Sequence, residues 1–267
     1  MIRQTAVAGQ FYPGDETTLR AELAALVAPE APRETVLGVI APHAGYMYSG
    51  AVAGFLYGRI EVPATVIILG PNHHGIGART ALYPDGEWDT PLGTVAINKR
   101  LARLVAAHAP QVEEDAAAHH YEHSLEVQIP FLQFVRPDVT IVPLCLGFGD
   151  FASCRTLGEG LARAIREYGE ETLIVASSDM THYEPAAVAR EKDDQAFREV
   201  LSLDPEGLVR VCRDRRITMC GVIPAAVMLV ATLELGATKA ELVRYATSGD
   251  VTGDNRQVVA YAALTVV

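Results

Sequence analysis

Four short, almost wholly apolar runs limit this chain most: Val36–Ile40, Ala64–Leu69, Val139–Leu144 and Thr172–Ala176. Runs of this length, bounded by polar and turn-forming residues, read as buried strands. Amphipathic stretches separate them. Gly50–Ile60, Asn98–His108 with an asparagine cap, Ser124–Val135 with Ser124 as cap, and Leu157–Tyr168 all read as helices. Strand and helix patterns in alternation give βα units, so the expected class is α/β, with a central, mainly parallel sheet flanked by helices. Further helices are expected around Pro185–Leu201, Leu208–Arg213 and Val222–Leu235, and strand-like segments at Ala240–Ala246 and Val258–Val267. No Gly/Ser linker, charge block or fixed-period repeat divides the 267 residues, so residues 1–267 read as a single domain. Leu82–Val95, with Trp88, Pro91 and Gly93, is turn-rich. It could cover a pocket at the strand ends or simply connect elements.

The strand ends carry the chemistry. His43 follows Pro42 after the first run, His73 and His74 follow Pro71-Asn72 after the second, and Asp179 and His182 follow the run at Thr172–Ala176. A doubly wound α/β protein gathers its ligand-binding residues just past the carboxyl ends of its strands. One such histidine is more often a hydrogen-bonded loop residue than a ligand. Three segments in the same topological place imply a shared pocket, and converging imidazoles suggest a metal. Neighbouring residues of an extended backbone face opposite sides, so one of His73 and His74 should enter the pocket; spacing does not say which.

Other residues keep two readings each. Asp179 either orients His182, as a general-base pair requires, or caps the backbone turn. His123, at a helix N-terminus, is either a neutral hydrogen-bonding imidazole or a surface residue. His119 and His120 are assigned to solvent. Cys220 precedes an apolar helix, where the helix field would lower its thiol pKa, or else it is a buried, inert thiol. Cys145, Cys154 and Cys212 have no such setting. Two chemistries follow: a divalent metal held by two histidines and a third ligand with His182 as base, or a metal-free Cys220–His182–Asp179 acyl-transfer set. GxSxG, HExxH and GxxxxGK[ST] motifs are absent from the sequence.

Composition bounds the partners. Hydrophobic residues make up 49% and charged residues 21%, which fits a folded chain, and the net charge of −11 argues against direct nucleic-acid binding. Residues 1–5 lack the charged-then-apolar pattern of a signal peptide. The longest apolar stretch, near Ile223–Leu233, falls short of the roughly 20 residues a membrane span needs. The expectation is a cytoplasmic chain with reduced cysteines and no membrane contact.

Taken together, Ala41-Pro42-His43-Ala44-Gly45-Tyr46, Leu69-Gly70-Pro71-Asn72-His73-His74, Glu122-His123-Ser124-Leu125-Glu126, Ser177-Ser178-Asp179-Met180-Thr181-His182 and Met219-Cys220-Gly221 resemble the Memo family. Its prokaryotic members carry the name AmmeMemoRadiSam system protein B. The resemblance runs from Ala8-Gly9-Gln10-Phe11-Tyr12 to Ala260–Val266. It implies the fold of class III extradiol dioxygenases of the LigB type. It also implies metal ligation by His43, His73 and Cys220, with His182 and Asp179 as the catalytic pair and His123, His74 and Tyr46 in the pocket. The implied metal is iron, with copper as the alternative, serving oxygen- or redox-linked chemistry on a small molecule. The alternative is a binding module for a peptide or partner protein, such as an AMMECR-type or radical-SAM protein. Ring-cleaving enzymes use a carboxylate where this pattern has Cys220. A thiolate is the softer donor, so the shared scaffold does not imply ring cleavage.

Overall fold

The apolar runs lie side by side. The structure is a computed structural model that describes residues 1–27 and 33–267. In chain order it contains β1 (Ile2–Arg3), α1 (Glu16–Leu26), β2 (Gly38–Ala41), α2 (Tyr46–Arg59), β3 (Thr65–Pro71), β4 (Thr80–Leu82), β5 (Glu87–Trp88) and β6 (Val95–Ile97). Then come α3 (Lys99–His108), β7 (Glu113–Glu114), α4 (His123–Glu126), α5 (Ile129–Val135), β8 (Thr140–Leu146), α6 (Phe151–Tyr168), β9 (Thr172–Ser177) and β10 (His182–Glu184). The chain closes with α7 (Ala186–Leu201), α8 (Pro205–Asp214), α9 (Val222–Glu234), β11 (Ala240–Thr247), α10 (Gly249–Thr252) and β12 (Val258–Val266).

The centre of the sheet is β8-β3-β9-β2, parallel throughout. Every residue of β2, β3 and β9 is buried, which explains why these strands read as continuous apolar runs and not as alternating ones. The long strand β12 joins β2 antiparallel and also pairs with β10 and β11. The sheet is therefore mixed but mainly parallel, with helices packed over it, as the sequence patterns predict. Helices α6 and α9 approach each other closely at Gly158, where an added Cβ would stand 2.6 Å from the Val230 side chain. No helix among the described residues is long and apolar enough to cross a membrane.

Three local expectations change. The helix expected over Ser124–Val135 is broken into α4 and α5. Pro130 is the cause: its ring collides with the carbonyl four residues back, that of Glu126, where α4 ends. The Leu82–Val95 excursion forms edge strands: β5 pairs with β1 and β6, and β6 pairs with Thr140 and Ile141 at the amino end of β8. Committed to that end of the sheet, it does not cover the carboxyl strand ends. His119 is fully buried and not in solvent; its Nε2–H donates to the Ala81 carbonyl, and its ring packs on Trp88.

The N-terminal segment is tied across the site end of the sheet by Glu126. This buried carboxylate accepts hydrogen bonds from Arg3 (2.6 Å), the backbone N–H groups of Ala6 (2.8 Å) and Val7 (3.0 Å), and the Tyr12 hydroxyl (2.7 Å). Removing one partner of a buried ion pair strands the other in low dielectric. Glu126→Ala should therefore destabilise the fold by about 3–5 kcal/mol in urea denaturation, against about 0–1 kcal/mol for loss of the exposed Arg20–Glu16 pair.

His119 gives a pH dependence with a definite sign. Burial lowers its pKa to about 4, whereas in the unfolded chain it titrates near 6.5. Below pH 6.5 the unfolded chain takes up a proton that the folded one refuses, so stability falls as pH drops from about 6.5 to about 4. His119→Gln should flatten that slope in denaturation midpoints measured across the window.

Candidate metal centre

β9 lies between β2 and β3, so the ends of β2 and β3 stand two strand spacings apart, roughly 10 Å. His43, two residues past β2, and His73, two past β3, lean toward each other over the end of β9. Their ring centroids are 5.3 Å apart, edge to face. His123 enters at the first residue of α4, stacked on His73 at 4.6 Å and edge-on to His43 at 5.4 Å. One ring nitrogen from each of the three lies within 4.8 Å of the other two. The third imidazole at the point of convergence is thus His123, which the sequence resemblance placed only nearby.

Glu122 organises one of these rings and the turn that carries another. It is wholly buried and accepts the backbone N–H of His73 at 2.7 Å, His73 Nδ1 at 2.8 Å and the backbone N–H of Ser124 at 2.9 Å. Burial pushes its carboxyl pKa up, but the His73 contact and the Ser124 N–H outweigh that and hold it at about 2. An ionised carboxylate only accepts, so His73 carries a hydrogen on Nδ1, and its neutral tautomer has the lone pair on Nε2. Burial, chiefly, lowers the pKa of His123 to about 4 and that of His43 well below its ordinary value. Both are neutral at pH 7, the state in which an imidazole can donate to a metal.

Cys220 sits at the rim of the triad, with Sγ 3.2 Å from His43 Nε2 and the backbone N–H of Asp179 donating to it at 3.2 Å. Gly221 allows this approach: a Cβ there would lie 2.3 Å from the Ser177 carbonyl oxygen. The thiol pKa is raised, contrary to the helix-terminus expectation. Burial leads, the Asp179 charge adds to it, and together they outweigh the hydrogen bonds from the Asp179 backbone, Ser178 and the Gly221 backbone that favour the thiolate. Asp179 does not orient His182. Its Oδ1 accepts the His43 backbone N–H at 2.8 Å, the turn-bracing alternative, and burial raises its pKa to about 6. Thr218 orients His182 instead: its carbonyl accepts from Nδ1 at 3.0 Å and its hydroxyl from the backbone N–H at 2.7 Å. A carbonyl only accepts, so His182 keeps a basic Nε2.

The three imidazoles, Asp179, Cys220, His182 and Thr218 line a cavity of about 870 Å³ together with Phe11, Tyr48, Tyr183 and Tyr261. Tyr183 adopts a left-handed φ of 60°, a costly conformation for a bulky residue, and it sits at the pocket beside His182. Two expected pocket residues lie elsewhere. His74 is exposed, with Nε2 at 3.0 Å from the Tyr121 carbonyl, because its neighbour His73 takes the inward direction. Tyr46 is buried behind the floor: Gly45 caps α2 there, and the first turn sends the Tyr46 hydroxyl to the Val127 carbonyl and its ring onto Phe131. Phe11, 4.9 Å from the His123 ring, is not among the pocket residues expected from the sequence; the Glu126 tether and the Tyr46 N–H donating to its carbonyl at 2.7 Å bring it there.

The protein family described as Memo-like protein matches residues 3–265 of this chain. The chain is 42% identical to MEMO1 family protein MK0963 of Methanopyrus kandleri, over 99% of this chain and 98% of that protein. It is 41% identical to MEMO1 family protein PAE0818 of Pyrobaculum aerophilum, over 98% of each. It is also 42% identical to a MEMO1 family protein of Aquifex aeolicus, again over 98% of each. Among solved structures, the uncharacterized protein JW3007 from Escherichia coli K12 matches with a TM-score of 0.55, covering 85% of this chain and 98% of that one. At 16% identity that likeness is one of fold alone.

The raised thiol pKa has a direct readout. In metal-free protein at pH 7.5, iodoacetamide should alkylate Cys220 at least ~10-fold more slowly than it alkylates the urea-unfolded chain, because the thiolate is the reacting species. Peptide mass mapping of the alkylated sites checks this.

Proposed function

The chain belongs to the Memo-like protein family, and for this member we propose that His43, His73 and His123 hold one transition-metal ion at the floor of the cavity. The observation that carries the proposal is the convergence of three imidazoles, two of them held neutral by burial and the third with its lone pair freed by Glu122. Three protein ligands with a cavity on the remaining side suit a site that keeps a position open, and not a closed structural site. Imidazole donors suit iron, copper and zinc alike. We propose iron, as the sequence resemblance implies, with copper as the alternative that a soft sulfur donor from Cys220 beside His43 would favour.

When bound, such a metal would supply redox or oxygen-linked chemistry to a small molecule in the cavity. This chain's own residues would do the rest. Phe11, Tyr48 and Tyr261 would shield the ligand from water, and His182 would accept a proton at Nε2 while Thr218 holds the opposite nitrogen. Asp179 would fix the loop that carries His43.

Anaerobic purification, loading with Fe(II) or Cu(I) and elemental analysis test the proposal. About one metal per chain is expected for the wild type. His43→Ala and His123→Ala should each lower metal affinity by ~10-fold or more, while Cys220→Ala should lower it less. Negligible metal in the loaded wild type would sink the proposal, and full occupancy in His123→Ala with loss in Cys220→Ala would replace the third ligand.

A further inference from the structure

His43 differs from its two partners. Glu122 settles the hydrogen of His73, and burial and stacking surround His123, but His43 Nδ1 faces a hydroxyl, Ser177 Oγ, at 2.9 Å. A hydroxyl can donate or accept, so by itself it leaves the His43 tautomer open. The atoms around Ser177 close the question. Its Oγ lies 2.6 Å from the Ser124 carbonyl, which can only accept, and there the hydroxyl hydrogen goes. Gln128 Nε2 stands 2.8 Å away on another side. That atom must be the amide nitrogen, because it also meets the Pro42 carbonyl at 2.9 Å, while the amide oxygen takes the Tyr57 hydroxyl at 2.9 Å. With its one hydrogen committed and Gln128 donating to it, Ser177 Oγ has only acceptor capacity left for His43. Tyr57, Gln128 and Ser177 are all wholly buried, so no solvent competes.

We infer that Ser177, clamped by Gln128 and the Ser124 carbonyl, is a positioning residue that keeps the hydrogen of His43 on Nδ1 and leaves Nε2 unprotonated on the cavity side, facing Cys220 Sγ at 3.2 Å. Its bearing on metal affinity rests on the metal reading above; the tautomer itself does not. The helix break at Pro130 gives Gln128 its place, since that residue lies in the gap between α4 and α5 where a side chain can turn under the strand ends. Gln128 also binds the carbonyl just before His43, so the same side chain fixes the backbone that carries the ring and the hydroxyl that orients it.

The test is ¹⁵N NMR of the imidazoles in metal-free protein at pH 7, combined with metal titration. In the wild type, His43 should show a protonated Nδ1 and the downfield shift of an unprotonated Nε2. Ser177→Ala leaves the buried Nδ1–H without an acceptor, so the hydrogen should redistribute to Nε2, and metal affinity should fall by ~10–100-fold. Ser177→Thr, which keeps the hydroxyl, should retain both the tautomer and the affinity. A wild-type His43 protonated at Nε2 overturns the inference without need of any variant. So does a folded Ser177→Ala that leaves the shifts unchanged. If the shifts behave as stated but no protein takes up metal, the proposed function falls and the tautomer assignment stands.

Discussion

One buried carboxylate, that of Glu122, holds the site end of the molecule together. It fastens the loop after β3 through the backbone and ring of His73, caps α4 through Ser124, and immediately precedes His123. Four residues on, one helical turn away, Glu126 fastens the N-terminal segment. Two acids on one short helix therefore join three distant parts of the chain. Glu122 works because it remains ionised in a dry setting, where a charged acceptor surrounded by N–H donors is far stronger than a neutral one.

The parallel sheet supplies the other half of the arrangement. Because β2, β3 and β9 run the same way, their carboxyl ends deliver His43, His73 and Asp179 to one edge without long loops. The opposite wall comes from antiparallel pairing: His182 aligns with Val259 of β12, and Thr218 approaches from the segment before α9. The two walls meet at β12, which pairs with β2 as well as β10, and at Asp179, which binds the His43 backbone, so the ligand-type imidazoles and the basic imidazole are held in one register.

Much of this was legible in the residues. Buried runs such as Thr65–Pro71 pack on both faces and so declare themselves by composition, and histidines just past them declare the pocket. Features set by tertiary contact were not legible. His123 became the third imidazole because it opens α4 directly after Glu122, whose buried carboxylate caps that helix and holds His73. Asp179 turned to the His43 backbone because that N–H, and not His182, lay within reach. Cys220 kept its proton because burial and the Asp179 charge outweigh the hydrogen bonds it accepts, and burial cannot be read from three neighbouring letters. Of His73 and His74, alternation said that one would point inward, and the Glu122 contact decided which.

The chain has a single tryptophan, Trp88, and its position gives the molecule a built-in optical reporter. The ring is fully buried, lies 4.2 Å beneath the Arg3 guanidinium, and touches Tyr83 and His119. Its emission therefore reports on the fastening of the first residues to the sheet edge, and the imidazole floor lies outside its immediate surroundings. A red shift that precedes loss of helical circular dichroism would mean that the strap carrying Phe11 lifts while the sheet remains whole.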